Sequence, residues 1–267
     1  MSRAALLLSY DGTWDGLLCM VHRAASDGRL PDGIVRGGDP LCAGVCLFDR
    51  VEVKTDRRVA GAVAEVLRRR VPFRVLTSAW WAMLSEEHEV EAAILRVLAR
   101  VWDRGVHSMP DRADPDLGAV LRAAGRAKSE CDKLMGLARF SDAGKFFYCE
   151  IEPECDLLTP LAEHFAARMS DCRWVMLDVR RGKAAVCENG TWVEVADNNT
   201  AGSRQAWQPP VFTEEEARQQ EMWREFYHAT TNQSKINYRA QMGNMPKKYW
   251  GRLVETPGVQ KTRGERA

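Results

Sequence analysis

Between Trp223 and Leu253 the cations Arg224, Lys235, Arg239, Lys247, Lys248 and Arg252 interleave with the aromatics Trp223, Phe226, Tyr227, Tyr238, Tyr249 and Trp250, and Glu225 is the only carboxylate. Cations offer a footing for phosphates, and flat rings offer faces for unstacked bases, the combination used by proteins that hold single strands. The expected nucleic-acid contacts are therefore Lys247, Lys248, Arg239 and Arg252 to phosphates, with Tyr249, Trp250, Trp223 or Tyr227 stacking on a base. The same composition also describes an arm whose aromatics dock on the body while its lysines stay in water.

Other chemistry-bearing residues are dispersed. His164 and Arg168 lie four apart on an expected helix, so their polar ends project from one face. Asp178-Val179-Arg180-Arg181 closes an expected strand with one carboxylate and two guanidinium groups, suited to a phosphate clamp or to a solvated strand end. Cys42 and Cys46 sit four apart in a loop, yet the further thiol or imidazole that a cluster or zinc site needs is missing, and Cys149 and Cys155 are a still weaker pair. Neither a metal nor another cofactor is expected. The chain lacks a Gly-Lys-Ser/Thr phosphate loop, a dinucleotide fingerprint, a nucleophile elbow and a paired-His zinc motif. A catalytic centre would have to be assembled from residues distant in sequence.

Composition narrows the class. The 267 residues are 45% hydrophobic and 28% charged, those of an ordinary globular protein with material for a sizeable core. A net charge of +1 and a pI near 7.6 give no global attraction to polyanions, so nucleic-acid affinity must come from a local patch. Ala4 to Leu8 is too short for a signal-peptide core, and no apolar run reaches the roughly 18 residues of a membrane span. A cytoplasmic protein without membrane contact is expected. Its eight cysteines are scattered, several within apolar runs, as suits reduced core thiols.

The elements that must position these residues follow from periodicity. A buried strand over 4–9, a turn at Asp11-Gly12 and a helix over Trp14 to Ala24 open the chain, followed by a Gly/Asp/Pro-rich loop from Ser26 to Gly44 and a short strand near Val45 to Val53. Helices are expected over Asp56 to Arg70, over Ser85 to Trp102 with Ser85 as cap, and within Asp116 to Lys133. Leu134 to Phe140 and Lys145 to Ile151 read as a hairpin around Ser141-Asp142-Ala143-Gly144, and Thr159-Pro160 as a helix start. Arg173 to Val179, Ala184 to Cys187 and Trp192 to Val195 read as strands, with a turn at Glu188-Asn189-Gly190. After a polar linker, Thr213 and Glu216 form a capping box for a helix leading into the arm. The whole reads as α+β: a small, mainly antiparallel sheet with packed helices and a helical, basic-aromatic C-terminal arm. Three regions are expected: an N-terminal α/β region over 1–125, a central hairpin, helix and strand region over 126–212, and the C-terminal helix and arm over 213–267.

Tyr10-Asp11-Gly12-Thr13-Trp14-Asp15-Gly16-Leu17-Leu18, Arg139-Phe140, His164-Phe165-Ala166-Ala167-Arg168, Trp174 and Asp178-Val179-Arg180-Arg181 resemble the motifs of a bacterial family of DNA-metabolism proteins, a domain of unknown function. Trp223, Tyr227, Asn237, Gln241 and Met245-Pro246-Lys247-Lys248-Tyr249-Trp250 are the most specific part of the likeness. Ser234-Lys235 departs from the acidic-arginine pair common there, and Tyr238 stands where proline usually follows the asparagine. Members are typically encoded beside a radical-SAM protein, and relatives occur fused to a uracil-DNA-glycosylase-like domain that has no counterpart here. The resemblance implies an accessory protein of DNA repair or modification, with single-stranded or damaged DNA and a radical-SAM protein as partners. Two other readings stand beside it. One is an enzyme acting on a nucleobase or nucleotide, its pocket formed by Tyr10, Asp11, Arg139, His164, Arg168, Asp178 and Arg180. The other is a protein-interaction module without DNA affinity.

Overall fold

A short apolar strand, β1 (Leu6–Tyr10), is flanked on both sides by parallel neighbours, β2 (Gly33–Arg36) and β3 (Asp49–Glu52), in the order β2-β1-β3. The computed structural model describes residues 6–37, 49–87, 89–104, 113–196, 209–232 and 237–255. Parallel neighbours need a long crossover, and α1 (Trp14–Asp27) supplies the first. It starts where the Thr13 hydroxyl accepts the N–H of Gly16, and stops at Gly28, whose φ of 60° lets its N–H turn back to the carbonyls of Ala24 and Ala25. The Asp56 carboxylate caps α2 (Arg57–Arg70) in the same manner, and α3 (Phe73–Leu84) and α4 (Val90–Arg104) complete the helical layer. Leu17, Met20 and Val21 of α1, Val63 and Leu67 of α2 and Ile94, Leu95 and Leu98 of α4 form its core.

These elements and the first part of α5 (Pro115–Leu137) make one compact unit, residues 1–128; residues 129–267 make a second. The second unit holds a five-stranded sheet in the order β4-β5-β6-β7-β8, from β4 (Ser141–Asp142), β5 (Phe147–Ile151), β6 (Trp174–Asp178), β7 (Lys183–Glu188) and β8 (Thr191–Ala196). Only β5 and β6 run parallel, because α6 (Leu158–Arg168) connects them; the other pairings are antiparallel. Asn189 and Gly190 both take positive φ in the β7–β8 turn, as a two-residue hairpin requires. Then come α7 (Glu214–Thr230), α8 (Tyr238–Asn244) and a 3₁₀ helix over Lys247–Arg252.

The class is α+β, with eight α-helices and the 3₁₀ helix among the described residues. Four boundaries differ from the sequence reading. Thr159-Pro160 is not the start of α6, which begins at Leu158 after Leu157 with no side-chain cap. The Ser26 to Gly44 stretch contains β2, whose Gly-Ile-Val-Arg run is too short to stand out among its Gly, Asp and Pro neighbours. Ser85 does not start a helix; its hydroxyl donates to the Ala82 carbonyl at 2.6 Å at the end of α3, and the next helix begins only at Val90, after Glu86 and Glu89 at positive φ. Leu134 to Leu137 prolong α5 instead of forming a strand, because Leu134 continues the buried stripe of Ala127 and Cys131, so the hairpin keeps only Ser141 and Asp142 on its first side. No helix of the described residues is long and apolar enough to cross a membrane.

Candidate nucleic-acid interface in the C-terminal arm

Glu150, Glu152 and Glu154 alternate along the end of β5 and the segment after it, so extended chain turns all three carboxylates to one side. Lys248 and Arg252 are four apart on the 3₁₀ segment and meet that row. Arg252 forms ion pairs with Glu150 and, at 3.0 Å, with Glu152. The Lys248 ammonium reaches Glu154 at 3.0 Å and Glu130, on α5, at 2.7 Å. Between these cations Tyr249 points inward, buried to 3% exposure, and its hydroxyl donates to the same Glu130 oxygen. Backbone N–H groups of Glu154 and Cys155 complete the shell of Glu130 at 3.0 and 2.9 Å. A further pair at 2.6 Å ties Arg139 to the buried Glu255.

Glu130 is the hub of this dock. Burial alone would raise its carboxyl pKa, but the hydrogen bonds from Lys248, Tyr249 and the two backbone N–H groups outweigh burial and hold it down at about 2. The same bonds, added to burial, push the Tyr249 hydroxyl up, while the Lys248 ammonium rises because Glu130 and Glu154 overcome the opposing effect of burial. Three of the expected nucleic-acid contacts are part of this dock. The Tyr249 ring has no open face for a base, and Lys248 and Arg252 are paired with four carboxylates of their own unit, so a phosphate would have to displace those partners.

The remaining arm residues are differently placed. Trp223 and Phe226 on α7 are 45% and 56% exposed, their rings 5.8 Å apart at 30°, with the exposed Met222 beside them. Arg239, in the first turn of α8, is exposed and has no carboxylate partner among the described residues. Lys247 is likewise exposed, its ammonium 5.9 Å from the ring centre of Trp250, whose indole N–H donates to the Met245 carbonyl at 2.8 Å. Tyr227 is half-buried, with its hydroxyl 3.5 Å from the Gln241 amide. Nearer the start of α7 the contacts are polar: Glu216 accepts the N–H of Asp142 at 3.0 Å, and Gln220 reaches Ser141 at 3.3 Å. The capping box is thus half made, since the Thr213 hydroxyl caps Glu216 but the Glu216 carboxylate binds β4 instead of returning to Thr213. Ser234-Lys235 lies outside the described residues.

Of the residues expected in a single pocket, Tyr10 and Asp11 belong to the first unit and the other five to the second. Asp11 accepts the N–H and hydroxyl of Thr13 and, at 2.7 Å, the hydroxyl of Thr55; burial would raise its carboxyl, but these bonds prevail and hold it low. It ties the turn after β1 to the segment after β3. Burial pushes the hydroxyl of Tyr10 upward. In the second unit α6 leads from the end of β5 back to the start of β6, so Arg168, its last residue, and Asp178, at the end of β6, lie at opposite ends of the parallel pair. His164 packs edge-on to Phe165 at 5.0 Å. Asp178 is fully buried and binds Arg181 at 2.9 Å plus the N–H groups of Arg180 and Arg181, while Arg181 also donates to the carbonyls of Pro153 and Glu154. That is a brace for the β6–β7 turn, with the Arg180 side chain left exposed.

Among the described residues no three His, Cys, Asp or Glu side chains are grouped to hold a metal, and the Cys42–Cys46 pair lies outside them. Burial pushes the Cys149 and Cys155 thiols up to about 12, which disfavours the thiolate needed for ligation or attack. The residue that sequence reasoning missed is Glu130, which looks like one more polar residue on a long helix. The period-two row of Glu150, Glu152 and Glu154, opposite cations four apart, was the available signal that the arm docks.

Residues 88–255, well over half of the chain, match the family described as a domain of unknown function, DUF4130. The match takes in α4, the five-stranded sheet and the C-terminal arm, whereas the Tyr10 to Leu18 motif lies before it. No curated protein and no solved structure matches the chain.

Proposed function

The chain belongs to the DUF4130 family, whose description names no reaction, and from that premise we propose that it is an accessory protein of DNA repair or modification that holds single-stranded or damaged DNA and works beside a radical-SAM enzyme. The observation that supports the reading is the Trp223–Phe226 ring pair, held side by side and open to solvent on α7. Large rings are rarely left this exposed unless something covers them, and nucleobases present matching faces. Arg239 and Lys247, without carboxylate partners among the described residues, are the arm's cations for phosphates; Lys248 and Arg252 instead hold the arm to its unit.

Fluorescence-anisotropy titration against single-stranded and duplex DNA at two salt concentrations tests it. Trp223→Ala/Phe226→Ala is expected to weaken single-strand binding about tenfold or more, and Arg239→Ala/Lys247→Ala to lower the salt slope by about 1.4. Absence of salt-dependent binding by the unaltered chain sinks the reading. One observation favours the protein-docking alternative: Met222, Trp223 and Phe226 leave large apolar groups of α7 exposed side by side, and a protein partner would also cover them. Retention of the radical-SAM protein at high salt, lost in Trp223→Ala/Phe226→Ala, together with no DNA binding, selects that alternative.

A further inference from the structure

The first unit carries a second cationic surface, outside the family match. Arg57, Arg58, Arg68, Arg69 and Arg70 on α2 and Arg74 on α3 are all exposed, and Glu65 is the only carboxylate on α2. Arg68 and Arg69 share that carboxylate at 3.3 and 2.8 Å, and Arg70 donates to the Trp102 carbonyl. Arg57, Arg58 and Arg74 have no carboxylate partner among the described residues. The surface is therefore strongly positive even after its own ion pairs are counted.

A cleft of about 260 Å³ adjoins it, walled by Trp14 and Leu18 of α1, Ala64 and Arg68 of α2, and Leu76, Thr77 and Trp80 of α3. That volume lies just below the roughly 300–1,000 Å³ of pockets for drug-sized ligands, so it suits one ring system. Helical spacing aligns arginines and cleft. Arg57, Gly61, Ala64 and Arg68 recur at i, i+4, i+7 and i+11, placing two guanidinium groups on the flank that borders the cleft, with small residues between them. A Cβ on Gly61 would meet nothing within 4 Å, so this flank is open. On α3 the spacing Phe73, Leu76/Thr77, Trp80 puts Phe73, 79% exposed, on the same flank as the cleft wall.

We infer that the cleft between α1, α2 and α3 takes an unstacked base of a nucleic-acid single strand, with Arg57 and Arg68 meeting separate, non-adjacent phosphates of that strand and Phe73 offering a face to the neighbouring base. Two tryptophans and an arginine fit a flat, polar ring system with a phosphate attached. A strand fits better than a free nucleotide because Arg57 and Arg68 are about 16 Å apart along the helix axis at 1.5 Å per residue, too far for one phosphate to engage both. The assignment rests on the nucleic-acid reading above but not on the C-terminal surface used there.

The test is anisotropy with a labelled oligothymidylate on the full chain, using Arg57→Ala/Arg68→Ala and the solvent-facing Phe73→Ala, with thermal melts as the folding control. The arginine pair is expected to weaken binding tenfold or more and to lower the salt slope by about 1.4; Phe73→Ala is expected to weaken it about fivefold. Unchanged affinity and slope in both variants, with melts like the unaltered chain, overturn the inference. Loss of binding in Trp223→Ala/Phe226→Ala alone overturns it while leaving the nucleic-acid reading in place, and loss in the first-unit variants alone upholds it and removes the arm from that reading. Thymidine monophosphate competing as strongly, per nucleotide, as the oligonucleotide overturns the strand and leaves a free-nucleotide site.

Discussion

The C-terminal arm and α2 are both rich in cations, yet they present different surfaces. In the arm, Lys248 and Arg252 face Glu130, Glu150, Glu152 and Glu154, which the fold supplies from α5 and from the end of β5, so the local charge there is turned inward. On α2 a single glutamate stands against five arginines of the same helix, and Arg57 and Arg58 have no carboxylate partner among the described residues. A run of cations in sequence thus states how much charge is present, and only the opposing carboxylates decide how much of it reaches solvent. The contrast also separates structural from recognition roles, because a cation paired with several carboxylates holds its segment in place while an unpaired, exposed one adds to the surface potential.

The sharpest way to break the comparison is at Glu130. Glu130→Ala leaves the Tyr249 hydroxyl and two backbone N–H groups without their acceptor and the Lys248 ammonium with Glu154 alone, and should cost about 3–5 kcal/mol in urea unfolding. A loss below about 1 kcal/mol would mean that the arm is held by something else.

The pH dependence comes next in size. The Glu130 carboxyl is lowered from 4.5 to about 2, so its contribution is present above pH 4.5 and is lost as pH falls through about 2. That shift corresponds to about 3 kcal/mol. Glu130→Gln should remove this part of the acid slope, and an unaltered slope between those pH values would contradict the assignment.

Arg252→Ala should cost about 1–2 kcal/mol, because its half-buried guanidinium bridges Glu150 and Glu152 and its loss leaves both facing each other. Arg57→Ala/Arg68→Ala should change thermal stability least, within about 0.5 kcal/mol, since among the described residues one has no ion-pair partner and the other only an exposed contact at 3.3 Å with Glu65. If the α2 pair destabilised the chain more than Arg252→Ala, the division into docked and open cations would be reversed.

Much of the fold was legible because its elements carry local signals. The Asp56 cap, the i, i+3, i+4 stripe of α4, the Asn189-Gly190 turn and the Thr213 cap are short-range features whose physics is complete within a few residues. β2 and the Ser85 boundary were not legible, because four residues give no period and a serine has equal local reason to end one helix or to begin the next. The site was read less well than the fold. Lys247, Arg239 and Trp223 are exposed, but Tyr249 is buried, and nothing local to Met245-Pro246-Lys247-Lys248-Tyr249-Trp250 distinguishes an open aromatic from a docked one.

The sequence alone determined the α+β class, most helices and hairpin turns, and the places where cations and aromatics concentrate, since propensity, capping and periodicity act over a few residues. Tertiary structure alone decided that Glu130 meets Lys248 and Tyr249 more than a hundred positions away, that Asp178 braces a turn, and that three helices of the first unit leave an aromatic cleft beside exposed arginines. The physical reason is that an ion pair or a cleft depends on distances between elements, and the packing of buried faces sets those distances after the local signals have been satisfied.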